Sequence, residues 1–287
     1  MEGTDSSLPW TSVRVTTARR VRSRTSRNTT PSHSPRMCHT DDSRAPEPPQ
    51  REPLGDPERI ELISSDGSHF SAYSAVPESG GKVGMVILPD VRGLHPFYED
   101  LAVRFAEAGC RTIAIDYFGR SAGPGTRDDT FDWKSHFQSV TPEGVAQDVR
   151  AAIGRLRADA HRADLPIFTV GFCFGGSQSW RQSGEQERLA GCIGFYGGRP
   201  MERAGAAIPK MTAPLLMLLA GADQGTPPEE FEEFARQVRA RGLEVESTTY
   251  AGAPHSYFDR SFLEHKDACA DSWKRILAFL DRHAADG

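Results

Sequence analysis

Short runs that are apolar at consecutive positions, rather than at alternate ones, recur along this chain and constrain its fold more than any other feature. Residues 192–196 (Cys-Ile-Gly-Phe-Tyr) and 215–219 (Leu-Leu-Met-Leu-Leu) are the clearest. Strands of this kind are covered on both faces, the mark of a mostly parallel sheet held between layers of helix. Further strand-like runs occupy 59–63, 69–75, 82–88, 111–115, 167–170 and 245–250. The segments between them have helical period. Phe97, Leu101, Phe105 and Ala108 share one face, and Val145, Val149, Ala152, Ile153 and Leu156 share another. Thr141-Pro142 supplies an N-cap and a first-turn proline for the second of these. Phe231, Phe234 and Val238 mark a third helix that stops at Gly242, and Trp273, Ile276, Leu277 and Leu280 mark the last. Two early strands followed by β/α alternation predict an α/β fold, a doubly wound, mostly parallel sheet with helices on both faces. Segment 119–139 breaks the alternation with Gly, Pro and aromatic residues, as active-site loops do.

The first 57 residues do not share this pattern. They are rich in Ser, Thr, Arg and Pro and offer no apolar run that could offset the entropy of ordering, so residues 1–57 are expected to be a disordered extension, with one domain over 58–287. Residues 1–36 carry seven Arg against Glu2 and Asp5, whereas the remainder carries 27 basic and 37 acidic residues. Such a leader fits a transit peptide, a nucleic-acid-binding arm or a stretch translated upstream of a native start at Met37. The acidic balance of the main domain argues against nucleic acid as its partner. No run approaches the 18 or so apolar residues of a membrane span. The five cysteines (Cys38, Cys110, Cys173, Cys192, Cys269) are widely spaced and form no C-x-x-C pair, which suits a reducing cytoplasm better than a disulfide framework.

The sharpest local signal is Val170-Gly171-Phe172-Cys173-Phe174-Gly175-Gly176, an apolar strand entering a glycine-flanked turn. This is the G-x-nucleophile-x-G elbow, in which small neighbours allow a tight strand-to-helix turn that lifts the central side chain above the sheet. Cys stands where Ser is usual. The dinucleotide pattern G-x-G-x-x-G and the Walker lysine are both absent from it. A hydrolase of this type needs an acid and then a His farther along, each just beyond a strand. Asp223 follows the run 215–219, and His255 follows the run 245–250. The order Cys173, Asp223, His255 places all three at the carboxyl edge of one sheet, where open α/β folds bind ligands.

On these residues the chain resembles the dienelactone hydrolase (carboxymethylenebutenolidase) family of α/β-hydrolases. The matching motifs are the elbow, the Gly221-Ala222-Asp223 turn and His255-Ser256-Tyr257-Phe258. Pro89-Asp90-Val91-Arg92-Gly93 and Asp116-Tyr117-Phe118-Gly119-Arg120 look like the family's earlier loops. The resemblance implies Cys173 as nucleophile, His255 as base and then acid, Asp223 as the group that orients the imidazole, and the backbone N–H groups of Phe174 and Val91 as the oxyanion hole. It implies a carboxylate near the resting thiol, a place filled here by Asp90, one methylene shorter than the family's Glu. The family holds a substrate carboxylate with two arginines. One position, four residues after the catalytic His, is Asp259 here with Arg260 beside it; the other has no match near Trp133. Arg92 and Arg120 are the candidate substitutes, with Trp133 and Tyr257 as candidate pocket residues.

No H-x-x-x-H or H-E-x-x-H pattern occurs, so neither metal nor cofactor is expected. The expected partner is a small ester or lactone. An acyltransferase or thioesterase on the same scaffold, and a non-catalytic binding protein, are the competing readings.

Overall fold

The computed structural model describes residues 43–259 and 261–284, so the expectations for the leader 1–36 and for Met37 lie outside the described residues. The chain opens with strands β1 (Glu58–Ile63), β2 (His69–Ala75) and β3 (Val83–Leu88). Helix α1 (Pro96–Glu107), strand β4 (Cys110–Ile115) and the short helices α2 (Gly119–Ala122) and α3 (Trp133–Phe137) follow. Then come α4 (Pro142–Asp159), β5 (Ile167–Phe172), α5 (Phe174–Gln182), β6 (Leu189–Phe195) and α6 (Pro200–Ala204). The last elements are β7 (Leu215–Ala220), α7 (Pro228–Arg239), β8 (Val245–Tyr250) and α8 (Lys266–His283).

The eight strands form one sheet in the order β1-β2-β4-β3-β5-β6-β7-β8. Only the β1/β2 and β2/β4 pairings are antiparallel; those from β4 to β8 are parallel. Chain order reverses between β3 and β5, and the crevice beyond the carboxyl ends of those two strands is where such sheets accept ligands. Consecutive apolar residues feed the two faces alternately. Val86 and Leu88 of β3 join the cluster under α4, α5 and α7, while Met85 and Ile87 join the one under α1 and α8. The Thr141 side chain accepts the Gly144 N–H at 3.1 Å, capping α4 where the sequence places the cap. Strand β6 begins three residues earlier than its apolar run suggests. Gly191 carries it there, because a Cβ at that position would lie 2.4 Å from the Phe279 ring.

The boundary at 57/58 sets the packed segment too late. Residues 43–57 run along α1 and α8 as a strap. The Ala45 N–H donates to Asp100 Oδ2 at 2.8 Å, the Trp273 indole donates to the Pro46 carbonyl at 3.2 Å, and the Glu52 N–H donates to the Glu107 carbonyl at 2.7 Å. Leu54 bridges Pro77, and Arg51 pairs with Glu107. Few apolar side chains take part, so hydropathy could not reveal the strap; polar anchors hold it. Deleting residues 1–57 should therefore lower the unfolding free energy by about 2–4 kcal/mol relative to deleting 1–42, from lost hydrogen bonds and the uncovered Trp273. Urea midpoints of the two truncated chains measure this, and equal midpoints would show that the strap contributes nothing.

Segment 119–139 is latched at its middle. Arg127 donates to the fully buried Asp116 at the end of β4 at 2.9 Å, and its guanidinium lies 4.5 Å from the Phe131 ring centroid. Burial raises the Asp116 carboxyl above its ordinary pKa, with the Arg127 charge opposing that shift. The latch carries Phe137 onto Phe174, with ring centroids 5.0 Å apart.

Candidate active site

Strand β5 ends where α5 begins, and Cys173 occupies the single residue between them with φ 55° and ψ −116°. A non-glycine residue in that region is strained and persists only where its surroundings fix it. Here they do. A Cβ on Gly171 would lie 1.8 Å from the Gly175 carbonyl oxygen, and one on Gly175 would lie 2.1 Å from the Leu88 carbonyl oxygen. The Cys173 N–H donates to the Phe195 carbonyl at 3.1 Å, pinning the elbow to β6. As the first residue of α5, Phe174 has an N–H with no acceptor inside the helix, so that group is available to an oxygen above the elbow. The loop carrying Val91 leaves β3 next door. Asp90 Oδ1 accepts the Arg92 N–H at 2.8 Å, and the Tyr117 hydroxyl donates to the Pro89 carbonyl at 2.9 Å. Burial first, and then the nearby Asp90 charge, push the Tyr117 phenol well above its usual range, so it remains a donor.

His255 and Asp223 meet across the ends of β7 and β8. Asp223 Oδ2 lies 2.6 Å from His255 Nδ1, and Oδ1 accepts the Gly225 N–H at 2.9 Å. Burial favours the neutral acid, but the hydrogen bond and charge of His255, with the Gly225 N–H, outweigh it and hold Asp223 below the ordinary carboxylate value. The carboxylate is therefore charged at neutral pH, and a charged acceptor at Nδ1 assigns the proton there and leaves Nε2 as the basic nitrogen. Tyr196 links this pair to the elbow. It follows Phe195, the residue that receives the Cys173 N–H, and its ring centroid lies 4.8 Å from that of His255. β6 lies between β5 and β7, so the structure brings Cys173, His255 and Asp223 to one edge of the sheet.

The other sequence candidates fare differently. Asp90 is fully buried beside the elbow loop. Arg92 is buried and paired with Asp129, and Arg120 donates to Asp148 at 2.7 and 2.8 Å, to Asp66 at 2.9 Å and to Gln147 at 3.0 Å. Both guanidinium groups are thus already held by carboxylates, and a substrate would have to compete for them. Trp133 is half-buried and packs edge-on against Phe137. Tyr257 is a core residue rather than a pocket wall; it has no exposed surface, and its hydroxyl meets Ser272 Oγ of α8 at 2.9 Å. Arg260 lies outside the described residues.

One residue had no sequence signal. Arg203 of α6 is half-buried, with its guanidinium carbon 5.5 Å from the Phe174 ring centroid. Its Nη1 donates to the Gly198 carbonyl at 3.3 Å. Burial lowers its pKa, opposed most by its interaction with Cys173 and then with Glu202. In sequence, Arg203 reads as one more charge on a short surface helix.

Among the described residues, Glu244, Glu246 and His283 come together with metal-ligand spacing, a grouping of residues distant in sequence. They sit at the opposite end of β8 from the elbow, and Glu246 is taken up by Arg282. No helix among the described residues is long and apolar enough to cross a membrane.

A glycine-flanked strand-to-helix elbow after a central parallel strand, with an Asp–His pair beyond two later strands, is the arrangement found in ester and lactone hydrolases of the α/β-hydrolase fold. The chain belongs to the dienelactone hydrolase family, whose profile matches residues 70–284. A protein of Escherichia coli strain K12 that carries the name "Putative carboxymethylenebutenolidase" is 27% identical over 236 residues, covering 77% of this chain and 85% of its own length. A protein of Methylorubrum extorquens with the same name is 26% identical over 228 residues, covering 76% of this chain and 78% of its own. Among solved structures, a dienelactone hydrolase-like promiscuous phosphotriesterase from metagenomic libraries superposes with a TM-score of 0.67 at 21% identity, covering 80% of this chain and 99% of its own. A Pyrococcus furiosus esterase does so with a TM-score of 0.60 at 15% identity, covering 84% and 99%.

Proposed function

We propose that this protein opens a small ester or lactone through an acyl-cysteine intermediate. The observation that carries the reading is the 2.6 Å Asp223–His255 hydrogen bond at the same sheet edge as a strained Cys173 elbow. His255 Nε2 takes the Cys173 proton as Sγ bonds to the carbonyl carbon. The carbonyl π pair moves onto oxygen, where the N–H groups of Phe174 and Val91 stabilise it. Collapse breaks the carbon–oxygen bond of the ester, and the departing alkoxide takes the proton from His255. With a lactone that alcohol stays tethered to the acyl chain. Water then attacks the thioester while His255 accepts its proton, and expulsion of the thiolate, reprotonated by His255, releases the carboxylic acid. Asp223 keeps the imidazole in one tautomer and stabilises the imidazolium at each stage. Asp90, buried under the same loop, is assigned to setting the resting state of the thiol.

A screen of aryl esters and five- and six-membered lactones, with mass analysis of protein stopped in mid-turnover, tests this. Hydrolysis accompanied by an acyl adduct on Cys173 is expected. Turnover with no adduct on that peptide under rapid acid quench, or none on any ester or lactone, would overturn the reading.

A further inference from the structure

The amino end of β8 gathers three side chains that the reaction does not use. Glu244 and Glu246 flank Val245, which is buried in the cluster under α7, so by strand alternation both carboxylates turn to the opposite face. Helix α8 covers that face through Ile276 and Phe279, and His283 stands one turn beyond Phe279, with ring centroids 4.6 Å apart. The Glu244 carbonyl accepts the Leu215 N–H at 3.0 Å, which fixes the backbone there to β7. One ligand atom from each of Glu244, Glu246 and His283 lies within 4.8 Å of the others, and His283 Nε2 is 3.8 Å from Glu244 Oε2. Donors about 2.1 Å from a shared ion stand roughly 3.4 Å apart at tetrahedral angles, so small rotations of the glutamates close the set.

The imidazole separates this group from an ordinary acidic patch. His283 Nε2 has no exposed surface and no hydrogen bond among the described residues, although buried polar nitrogens are ordinarily paired. It faces a carboxylate instead, at a distance that an ion bridges and a hydrogen bond does not. Arg282 holds Glu246 Oε1, which leaves Oε2 as a donor, because each carboxylate oxygen accepts independently. The last carbonyls of α8 add the negative end of the helix dipole. A cleft of about 290 Å³ lined by Leu189, Thr212, Pro214, Leu243, Glu244 and His283 gives an ion and its water a way in.

We propose that Glu244, Glu246 and His283 bind a divalent cation of the class that takes imidazole and carboxylate together, with zinc as its type. Three protein donors leave a fourth position for water. The ion ties the last turn of α8 to β8, the strand at the edge of the sheet, and so clamps the carboxyl end of the fold. His255 follows the other end of β8, so the clamp acts on stability and stands or falls independently of the hydrolase reading.

Zn²⁺ titrated by calorimetry into the metal-free full chain tests this. Saturable binding is expected, with one equivalent lost, or weakened at least about tenfold, in His283→Ala and in the isosteric Glu244→Gln, whose exposed site leaves folding untouched. Arg282→Ala, which releases the second oxygen of Glu246 and removes a positive charge, should tighten it. Zinc at about a hundred times its Kd should raise the thermal midpoint by roughly 5–10 °C in the wild type and not in His283→Ala. Cobalt(II) separates this site from thiol sites elsewhere in the chain, since nitrogen and oxygen donors give d–d bands without thiolate charge transfer. Three results would each overturn the proposal: no saturable binding below about 100 µM, a stoichiometry and affinity in His283→Ala within about twofold of wild type, or a cobalt spectrum of thiolate ligation alone. The first would leave His283 and Glu244 as an ion pair only.

Discussion

Cys173→Ala should lower kcat/KM on an activated aryl ester by roughly four to six orders of magnitude, the scale on which removal of a covalent nucleophile is felt. The thermal midpoint should stay within about 2 °C, because alanine replaces a half-buried thiol and meets the same positive φ. Alkylation of the wild type should abolish turnover in step with labelling of the same residue. Cys110, Cys192 and Cys269 are buried, and burial pushes each thiol up to about 12, so each is both unreactive and shielded at neutral pH. A variant that retains more than a tenth or so of the wild-type rate would remove Cys173 from the mechanism.

The second large effect is on folding. Gly171→Ala should destabilise the domain by more than about 3 kcal/mol, a loss comparable to much of the stability of an ordinary domain. The added methyl would sit 1.8 Å from the Gly175 carbonyl oxygen and 2.8 Å from the Gly176 nitrogen, both backbone atoms of the next element. No rotamer can relieve a clash with backbone, so α5 must tilt away from β5 and the elbow must open. Gly154→Ala is the matched control. That glycine lies on the exposed face of α4 with nothing within 4 Å of the added methyl, and the change should stabilise by about 0.5–1 kcal/mol. Urea unfolding of the two variants measures the contrast. A Gly171→Ala protein with an unchanged midpoint would mean that the elbow is not the tight turn described.

What was legible in the sequence follows from how far apart the determining residues lie. The elbow is written in seven consecutive residues, so the tight strand-to-helix turn at Cys173 could be read before its geometry was known. Asp223 and His255 could be read because each stands just beyond a strong strand pattern, and strand order does the rest. The fates of the arginines could not. Arg92 meets Asp129 and Arg120 meets Asp66 and Asp148 only after β4, α4 and segment 119–139 are assembled. Arg203 reaches Phe174 through the packing of α6 on α5, which leaves no periodic trace. Tyr257 looks like a pocket aromatic because it is two residues from His255, yet it points down to Ser272. The strap was missed for a related reason. Its anchors are backbone groups, and hydropathy does not register them.

The groups that would react hang from the ends of β5, β7 and β8, whereas the aromatic wall opposite Phe174 comes from segment 119–139, fastened by Arg127 to Asp116 and by Asp129 to Arg92. The wall is thus fastened to Asp116 and Arg92, whereas Cys173 is fixed by the glycine-flanked turn and by β6. Exchanges beyond the two fastening points, over residues 130–139, can redraw the wall while the strand ends stay where they are. Descent within such a lineage can then change what is accepted without touching what is done to it.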